Sequence, residues 1–412
     1  MTEVIEQIKI KEIEQGKEKR NVPEMRFRGF EDEWEEKKLN NFLKESRIVG
    51  SNGDKAKKLT VKLWAKGVVP KKEIYEGSNN TQYYIRKKGQ LIYGKLDFLN
   101  CAFGIIPDEL DGYESTIDSP AFNINNIVPY FLYNKIIQKN FYKKNGDIAD
   151  GSRKAKRIHQ DTFLNMSINV PSLQEQKKIA DFLSLVDKKI EKQSEKVEAL
   201  KTYKKGIMQK IFKQEIRFKD ENGEEYPEWE EKRLGDVLNE VNEKTTVNNQ
   251  YEILSSTANG ILKQSEYFNR EIASNNNIGY KVLRYNQIVL SPQNLWLGNI
   301  NYNDKFTSGI VSPSYKVFNI DCKYNSKYIS YIIKTNRMLN EYKNVSEQGA
   351  SVVRRNLNTD LFYDIKVIIP ILEEQTKIAD FFSTIDEKMD KEEKKLEELK
   401  VWKKGLLQKM FV

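Results

Sequence analysis

The chain has 412 residues, 39% hydrophobic and 31% charged, with 69 Lys/Arg against 60 Asp/Glu and a net charge of +9. That length is a prior for two or three domains with real cores under a heavily charged surface. No run of about 18 apolar residues occurs, so no membrane span is expected; Cys101 and Cys322 stand far apart with no CxxC or Cys/His cluster, so neither a disulfide framework nor a zinc site is supported.

The first residues, 1–23, read as an N-terminal extension. Ile alternates there with Glu and Lys and forms no apolar signal core, so secretion is not expected and the cytoplasm is the default. The first defined opening is "EMRFRGFEDEWEEKKLNNFL" (24–43). A basic block follows: residues 46–157 hold 20 Lys/Arg against 11 Asp/Glu. Inside it, "TQYYIRKKGQLIYGK" (81–95) reads as strand, turn, strand, and "NIVPYFLYNKIIQKNFY" (126–142) as an amphipathic helix. "GSRKAKR" (151–157) is a small-residue turn with basic neighbours. A strand-like run, "MSINVP", ends at Pro171. Ser172 followed by Glu175 then fits a capping box.

The segment that begins at Pro171 is spelled twice. "PSLQEQKKIADFLSLVDKKIEK" (171–192) and "PILEEQTKIADFFSTIDEKMDK" (370–391) agree at 13 of 22 positions. "KTYKKGIMQKIF" (201–212) answers "KVWKKGLLQKMF" (400–411) at the same offset. Between the copies, "EIRFKDENGEEYPEWEEKRLGDVL" (215–238) repeats the RF…WEEK opening. A second basic block, 241–356, holds 14 Lys/Arg against 8 Asp/Glu, so the rest of the chain is slightly acidic. It contains the amphipathic "NSKYISYIIKTNRMLNEY" (325–342) and the turn "GASVVRR" (349–355). The two basic blocks barely resemble each other. One unit is thus written twice, and the end of the second should flow back to the first opening, so that this opening packs near the C-terminal helix.

Each repeated segment reads as a long helix. Ile179, Leu183, Val186, Ile190, Val197 and Leu200 follow alternating steps of four and three, as do Ile378, Phe382, Ile385, Met389, Leu396 and Leu399. Sustained a/d heptads argue a coiled coil. Polar interruptions fall at matching places, Gln193/Glu392 and Lys204/Lys403, and would fix register if the helices pair antiparallel. The second start has Ile371 where the first has Ser172, so it should fray more. Gly206 and Gly405 fall inside both helices, read either as a close backbone approach, to the other helix or to a partner, or as a kink inherited by duplication.

Enzymatic motifs are missing. There is no GxxxxGK[ST] loop, no GxGxxG and no Asn-Pro-Pro-aromatic tetrapeptide. With His159 as the single histidine, a paired-histidine metal site is impossible within one chain. His159 is read as a surface or core side chain rather than a phosphate contact. Basic blocks that track modules rather than tails are the footprint of a nucleic-acid surface.

The order of variable domain, "xPxxxEQxxIAxFxxxxDxxI" helix, second variable domain and second helix resembles the specificity subunit of type I restriction-modification systems. Pro171, Glu175, Gln176, Ile179, Ala180, Phe182 and Asp187 carry the likeness, with Pro370, Glu374, Gln375, Ile378, Ala379, Phe381 and Asp386 in the second copy. "VPEMRF" (22–27), "WEEKKL" (34–39), "KLTVKLWAKGVVP" (58–70) and "GKLDFLNCAFGIIPDELDGYEST" (94–116) are similar as well. The resemblance implies an α+β protein: an extension (1–23), a first DNA target recognition domain (24–170), a central coiled-coil helix (171–214), a second recognition domain (215–369) and a C-terminal coiled-coil helix (370–412), the helices pairing antiparallel. It implies a chain without chemistry that reads a bipartite target in double-stranded DNA. Two adenine-N6 methyltransferase subunits and the motor-nuclease subunits would assemble on it. S-adenosylmethionine, ATP and Mg would belong to those partners, and no metal or cofactor to this chain. The other reading is a coiled-coil assembly protein whose basic modules bind RNA, or nucleic acid without specificity.

Phosphate contacts supply affinity and base edges supply sequence, chiefly through Arg, Lys, Asn and Gln. In the first block the candidates are Lys62, Lys66, Lys71 and Lys72, then Arg86, Lys87 and Lys88, then Arg153, Lys154, Lys156 and Arg157. In the second they are Lys263, Arg270, Arg354 and Arg355 with Gln293 and Asn294 in "SPQNLW" as base readers.

Overall fold

The computed structural model of the protein describes residues 8–10, 21–72, 77–146, 157–267, 276–348 and 355–412. It forms two compact units that do not follow chain order: the residues up to Glu195 with Lys394–Val412, and Lys196–Glu393. Each unit holds one α+β domain and a part of both long helices. The long helices are thus shared between the units rather than standing apart from the domains.

The first unit contains β1 (Glu35–Lys38), β2 (Leu43–Ser46), β3 (Ile48–Asn52), β4 (Leu59–Val61), β5 (Val68–Pro70), β6 (Gln82–Ile85), β7 (Leu91–Tyr93), β8 (Phe103–Ile105), β9 (Glu114–Ser115) and β10 (Ala121–Ile124). Helices α1 (Pro129–Ile136) and α2 (Lys139–Gly146) and strand β11 (Ser167–Val170) lead into the long α3 (Leu173–Phe212). A four-stranded antiparallel sheet has the order β8-β7-β10-β2, a three-stranded sheet the order β9-β6-β3, and β4–β5 is a hairpin. Pairing of β1 with β11 closes the domain at its two ends.

The second unit repeats this plan. Its elements are β12 (Glu230–Arg233), β13 (Leu238–Val241), β14 (Leu254–Thr257), β15 (Gly260–Lys263), β16 (Lys281–Arg284), β17 (Ile288–Leu290), β18 (Ile300–Tyr302), β19 (Ser308–Val311) and β20 (Lys316–Ile320). Then come α4 (Ser326–Ile332), α5 (Asn336–Asn344), β21 (Lys366–Ile369) and the long α6 (Leu372–Lys409). The main sheet runs β18-β17-β20-β13, β16 pairs with β19, β14–β15 is the hairpin, and β12–β21 closes the domain. The two variable blocks therefore share one topology despite their dissimilar sequences.

A turn shows how so little sequence holds that topology. Gly89 and Asn286 both take left-handed backbone, φ 76° and 65°, just before β7 and β17. The next residue is Gln in each. Gln90 Oε1 accepts from Lys87 N at 2.9 Å and Gln287 Oε1 from Arg284 N at 2.7 Å. Their amides donate to Asn123 and Asn319, each at 2.8 Å, tying the turn to β10 and to β20. The segment 81–95 does form strand, turn, strand, but β6 and β7 enter different sheets. Each stretch read as one amphipathic helix breaks into two. In the second, Thr335 Oγ1 accepts from Met338 N at 3.4 Å and caps a new helix instead of continuing the old one.

Equivalent clamps seat each domain on its long helix. Arg26 reaches Glu175 through two bonds of 2.7 and 2.8 Å, and Arg217 reaches Glu374 through bonds of 2.8 and 3.3 Å. Gln176 accepts from Val128 N at 3.0 Å and donates to Pro171 O at 2.9 Å; Gln375 accepts from Asn325 N and donates to Pro370 O at 2.9 and 2.8 Å. This corrects the capping box. Ser172 Oγ accepts from Glu175 N at 3.4 Å, but the Glu175 carboxylate has turned to Arg26, so only half of the box forms. The same glutamine holds both starts, and the Ser172 bond is the one contact that Ile371 leaves out of the second.

The apolar heptad positions do as expected. Ile179, Leu183 and Val186 are buried beside Leu406 and Met410, and Ile378, Phe382 and Ile385 beside Ile211; the remaining predicted positions are buried or half-buried. At about 1.5 Å per residue the 40 residues of α3 rise roughly 60 Å. The helices pair antiparallel, and the polar interruptions set the register. Lys204 pairs with Asp386, and Lys403 with Asp187 at 2.5 Å. Glu392 accepts from Lys196 at 2.6 Å. A Cβ on Gly206 or Gly405 would meet nothing within 4 Å among the described residues, which sets aside a close approach between the helices.

The first opening packs near the C-terminal helix. Trp34 meets Phe131 and Phe411 at 5.7 and 6.1 Å, and in the second unit Tyr328 lies between Trp229 and Phe212 at 6.4 and 5.7 Å. Trp229 Nε1 also donates to Glu374 at 3.0 Å. Removing one partner of a buried ion pair costs about 3 kcal/mol or more, because the other charge stays buried. Glu374→Ala strips the buried carboxylate from both Arg217 and Trp229. We expect a fall of at least about 3 kcal/mol in urea-unfolding stability, against less than about 0.5 kcal/mol for the exposed Glu373→Ala.

Candidate nucleic-acid interface

Residues 55–72 contain seven lysines and no Asp or Glu. They build the β4–β5 hairpin of the first unit and its flanks. Lys62, Lys66, Lys71 and Lys72 are all exposed. Lys58 is buried over the Tyr83 ring at 5.7 Å. The lysines of the first predicted group therefore do come together around one structural feature.

The hairpin tip is strained. Trp64 and Ala65 take left-handed backbone, φ 61° and 53°, followed by Gly67 at 87°. Non-glycine residues held in that region cost on the order of 1–3 kcal/mol each and persist only where the surroundings enforce them. Here the enforcement is visible. Trp64 N donates to Asn100 O and Ala65 N to Cys101 O, both at 2.8 Å, and Tyr133 Oη donates to Ala65 O at 3.1 Å. Cys101 is itself left-handed at φ 53°. Gly104 in β8 leaves room for Val68, since a Cβ there would collide with its side chain. The residue choice gave no sign of this, because neither Trp nor Ala marks a left-handed turn.

Arg86 must be withdrawn from the predicted contacts. It is 2% exposed, donating to Ser115 Oγ at 2.8 Å, Ser46 O at 2.9 Å and Ser119 O at 3.1 Å. Burial pulls its pKa down to about 10, so it stays charged and tied to the domain interior. Its neighbours Lys87 and Lys88 are exposed but lie 3.8 Å from Asp111 and 3.4 Å from Asp108. Arg157 sits 3.6 Å from Asp118. His159 is exposed. Arg153, Lys154 and Lys156 lie outside the described residues, as do Arg270 and Arg354.

In the second unit Lys263 is 3.4 Å from Glu252. Gln293 is exposed, and Asn294 is half-buried, donating to Ser291 Oγ at 3.4 Å. Their turn, Pro292–Leu297, carries Trp296, and the Arg355 guanidinium lies 4.7 Å from that ring. Arg355 thus meets the turn that carries Gln293 and Asn294, through a cation–π contact with Trp296 that their sequence separation hides. Lys263, in β15, is not part of that contact.

Among the described residues no group of three or more His, Cys, Asp or Glu is placed to hold a metal ion, and no helix is long and apolar enough to cross a membrane. A duplicated α+β domain on an antiparallel helix pair, its first copy carrying an exposed lysine-rich hairpin, defines a class of DNA-specificity proteins. The sequence matches the type I restriction modification DNA specificity domain twice, over residues 31–201 and 226–401, and the chain belongs to that family. It is 27% identical over 305 residues to the putative type I restriction enzyme MjaX specificity subunit of Methanocaldococcus jannaschii, covering 69% of this chain and 68% of that one. The fold is similar to that of the type I restriction-modification S subunit from M. genitalium, with a TM-score of 0.54 and 13% identity over 95% of this chain and 99% of the other. A solved chain of a type I R-M system gives 0.53 and 14% over 93% and 98%. The chain is a type I specificity subunit with two recognition domains.

These placements separate two arginine and lysine roles. Lys62→Ala with Lys66→Ala should flatten the slope of log affinity for duplex DNA against log salt by roughly 2, at about 0.9 per phosphate contact. Arg86→Met should leave that slope intact and lower the melting temperature of the first unit. Salt titration of DNA binding, run beside calorimetry, checks both.

Proposed function

We propose that the first and second recognition domains each read one half of a bipartite DNA sequence, and that the helix pair sets the gap between the halves. The helices also dock two adenine-N6 methyltransferase subunits, which motor-nuclease subunits join. The chain itself performs no chemistry; S-adenosylmethionine, ATP and Mg belong to those partners. The observation that carries this reading is the duplication itself. Two domains of one topology sit on α3 and α6 through equivalent Arg–Glu and Gln–backbone clamps, while their tips differ. A single-site reader has no use for two differently tipped copies of one clamped domain.

Mapping methylated adenines in host DNA with and without the gene tests the reading directly. Two short, dissimilar motifs at one fixed spacing are the expected result, and an unchanged methylation pattern would refute it. The spacer has its own test. Deleting 191–197 from α3 together with 390–396 from α6 keeps Lys204 opposite Asp386 and Lys403 opposite Asp187. It shortens the pair by about 10 Å, roughly three base pairs at about 3.4 Å each. The methylated motif should keep both halves and lose about three base pairs of gap. An unchanged gap would separate the helices from the spacing.

A further inference from the structure

Trp64 is an aromatic side chain held in solvent by a strained backbone. It is 55% exposed and its neighbour Leu63 38%. A single exposed apolar residue is ordinary. What is unusual is that its backbone, and that of Ala65, is forced left-handed and fastened to the Asn100–Cys101 turn. The fold does not require such a tip. The corresponding hairpin, β14–β15, turns through Ala258 and Asn259 alone and presents no large apolar group.

The surroundings identify the chemistry of the partner. Lys62 and Lys66 stand two residues to either side of Trp64, in the stretch without a single carboxylate. An indole flanked by ammonium groups matches a flat base between phosphates. Apolar side chains inserted at a base step unstack it and bend the duplex, and aromatic faces stack on any base. A tip already fixed before binding loses little freedom when it inserts.

We propose that Trp64 is a base-stacking wedge, inserting at one step of the DNA half-site read by the first domain, with Lys62 and Lys66 on the adjoining phosphates. The proposal rests on the DNA-reading function above and adds a distortion of the target to it.

The test uses the full chain, co-expressed with its host's methyltransferase subunit, to select a duplex from a random pool. 2-Aminopurine is then placed at successive positions of the selected half-site other than the methylated adenine and its neighbours, which the methyltransferase itself unstacks. The wild type should raise its fluorescence at one step. Trp64→Ala should abolish that rise and bind about tenfold more weakly, with the salt slope unchanged. Trp64→Phe should restore most of both. Trp64→Asn, a residue that accepts positive φ, repeats the loss with the backbone strain relieved. An undiminished rise and affinity in the alanine and asparagine variants would overturn the wedge and leave DNA reading standing. So would variants that keep both but no longer co-purify with the methyltransferase subunit. Selection of no duplex at all would overturn the DNA reading and the wedge with it.

Discussion

Each long helix begins with a carboxylate that the fold cannot leave unpaired. Glu175 and Glu374 are almost completely buried, and a buried charge is tolerable only when an opposite charge and hydrogen bonds meet it. The partners, Arg26 and Arg217, come from the two openings, far away in sequence. The glutamine after each carboxylate binds the residue before α1 or α4 and the proline that ends β11 or β21. A Glu-Gln dipeptide thus gathers the opening, the closing strand and the helical hairpin of its domain at one point. Aromatic packing then fills the space this defines, with Trp34 against Phe411 and Trp229 with Phe212 around Tyr328.

Register along the helices has a separate cause. An apolar stripe alone permits sliding by a heptad, because Ile, Leu and Val are nearly interchangeable at a and d. Asp187 and Asp386 remove that freedom. Each accepts from a tyrosine of its own domain, Tyr130 or Tyr331, and pairs with a lysine of the other helix, Lys403 or Lys204. These groups are only partly buried, so each pair adds about 1 kcal/mol at most. Their value is positional: a slip by one heptad would bring each aspartate opposite an apolar residue of the other helix and leave it with one partner instead of two.

Much of the scaffold was legible in the sequence because its cause is periodic or repeated. The helices, their a/d positions, the matching interruptions and the packing of the first opening on the C-terminal helix all follow from spacing and duplication. The recognition domains were legible as α+β but not as copies of one topology. Their common features reduce to points such as Gln90 with Asn123 and Gln287 with Asn319, and a handful of scattered residues does not stand out between two dissimilar blocks. Arg86 was misplaced for a related reason. In "IRKKG" it looks like one cation among three, and only the fold just past β6 turns it inward, to the carbonyls of Ser46 and Ser119.

The division between shared and individual features also says where specificity can vary without loss of fold. The clamps, the left-handed residue before β7 and β17 and the glutamine–asparagine ties involve backbone or buried groups, so a change there is felt by the whole domain. The hairpin ends are different. β4 and β5 are joined by six residues with two strained positions, β14 and β15 by two residues, and the strands beneath pair antiparallel in both. A tip can therefore lengthen, take up an aromatic side chain or lose one while the sheet below it is unchanged. The strain at Trp64 and Ala65 is borne by contacts to the Asn100–Cys101 turn and to Tyr133. A tip of this kind consequently has to change together with that turn, and the tip and the turn that braces it form one unit of variation.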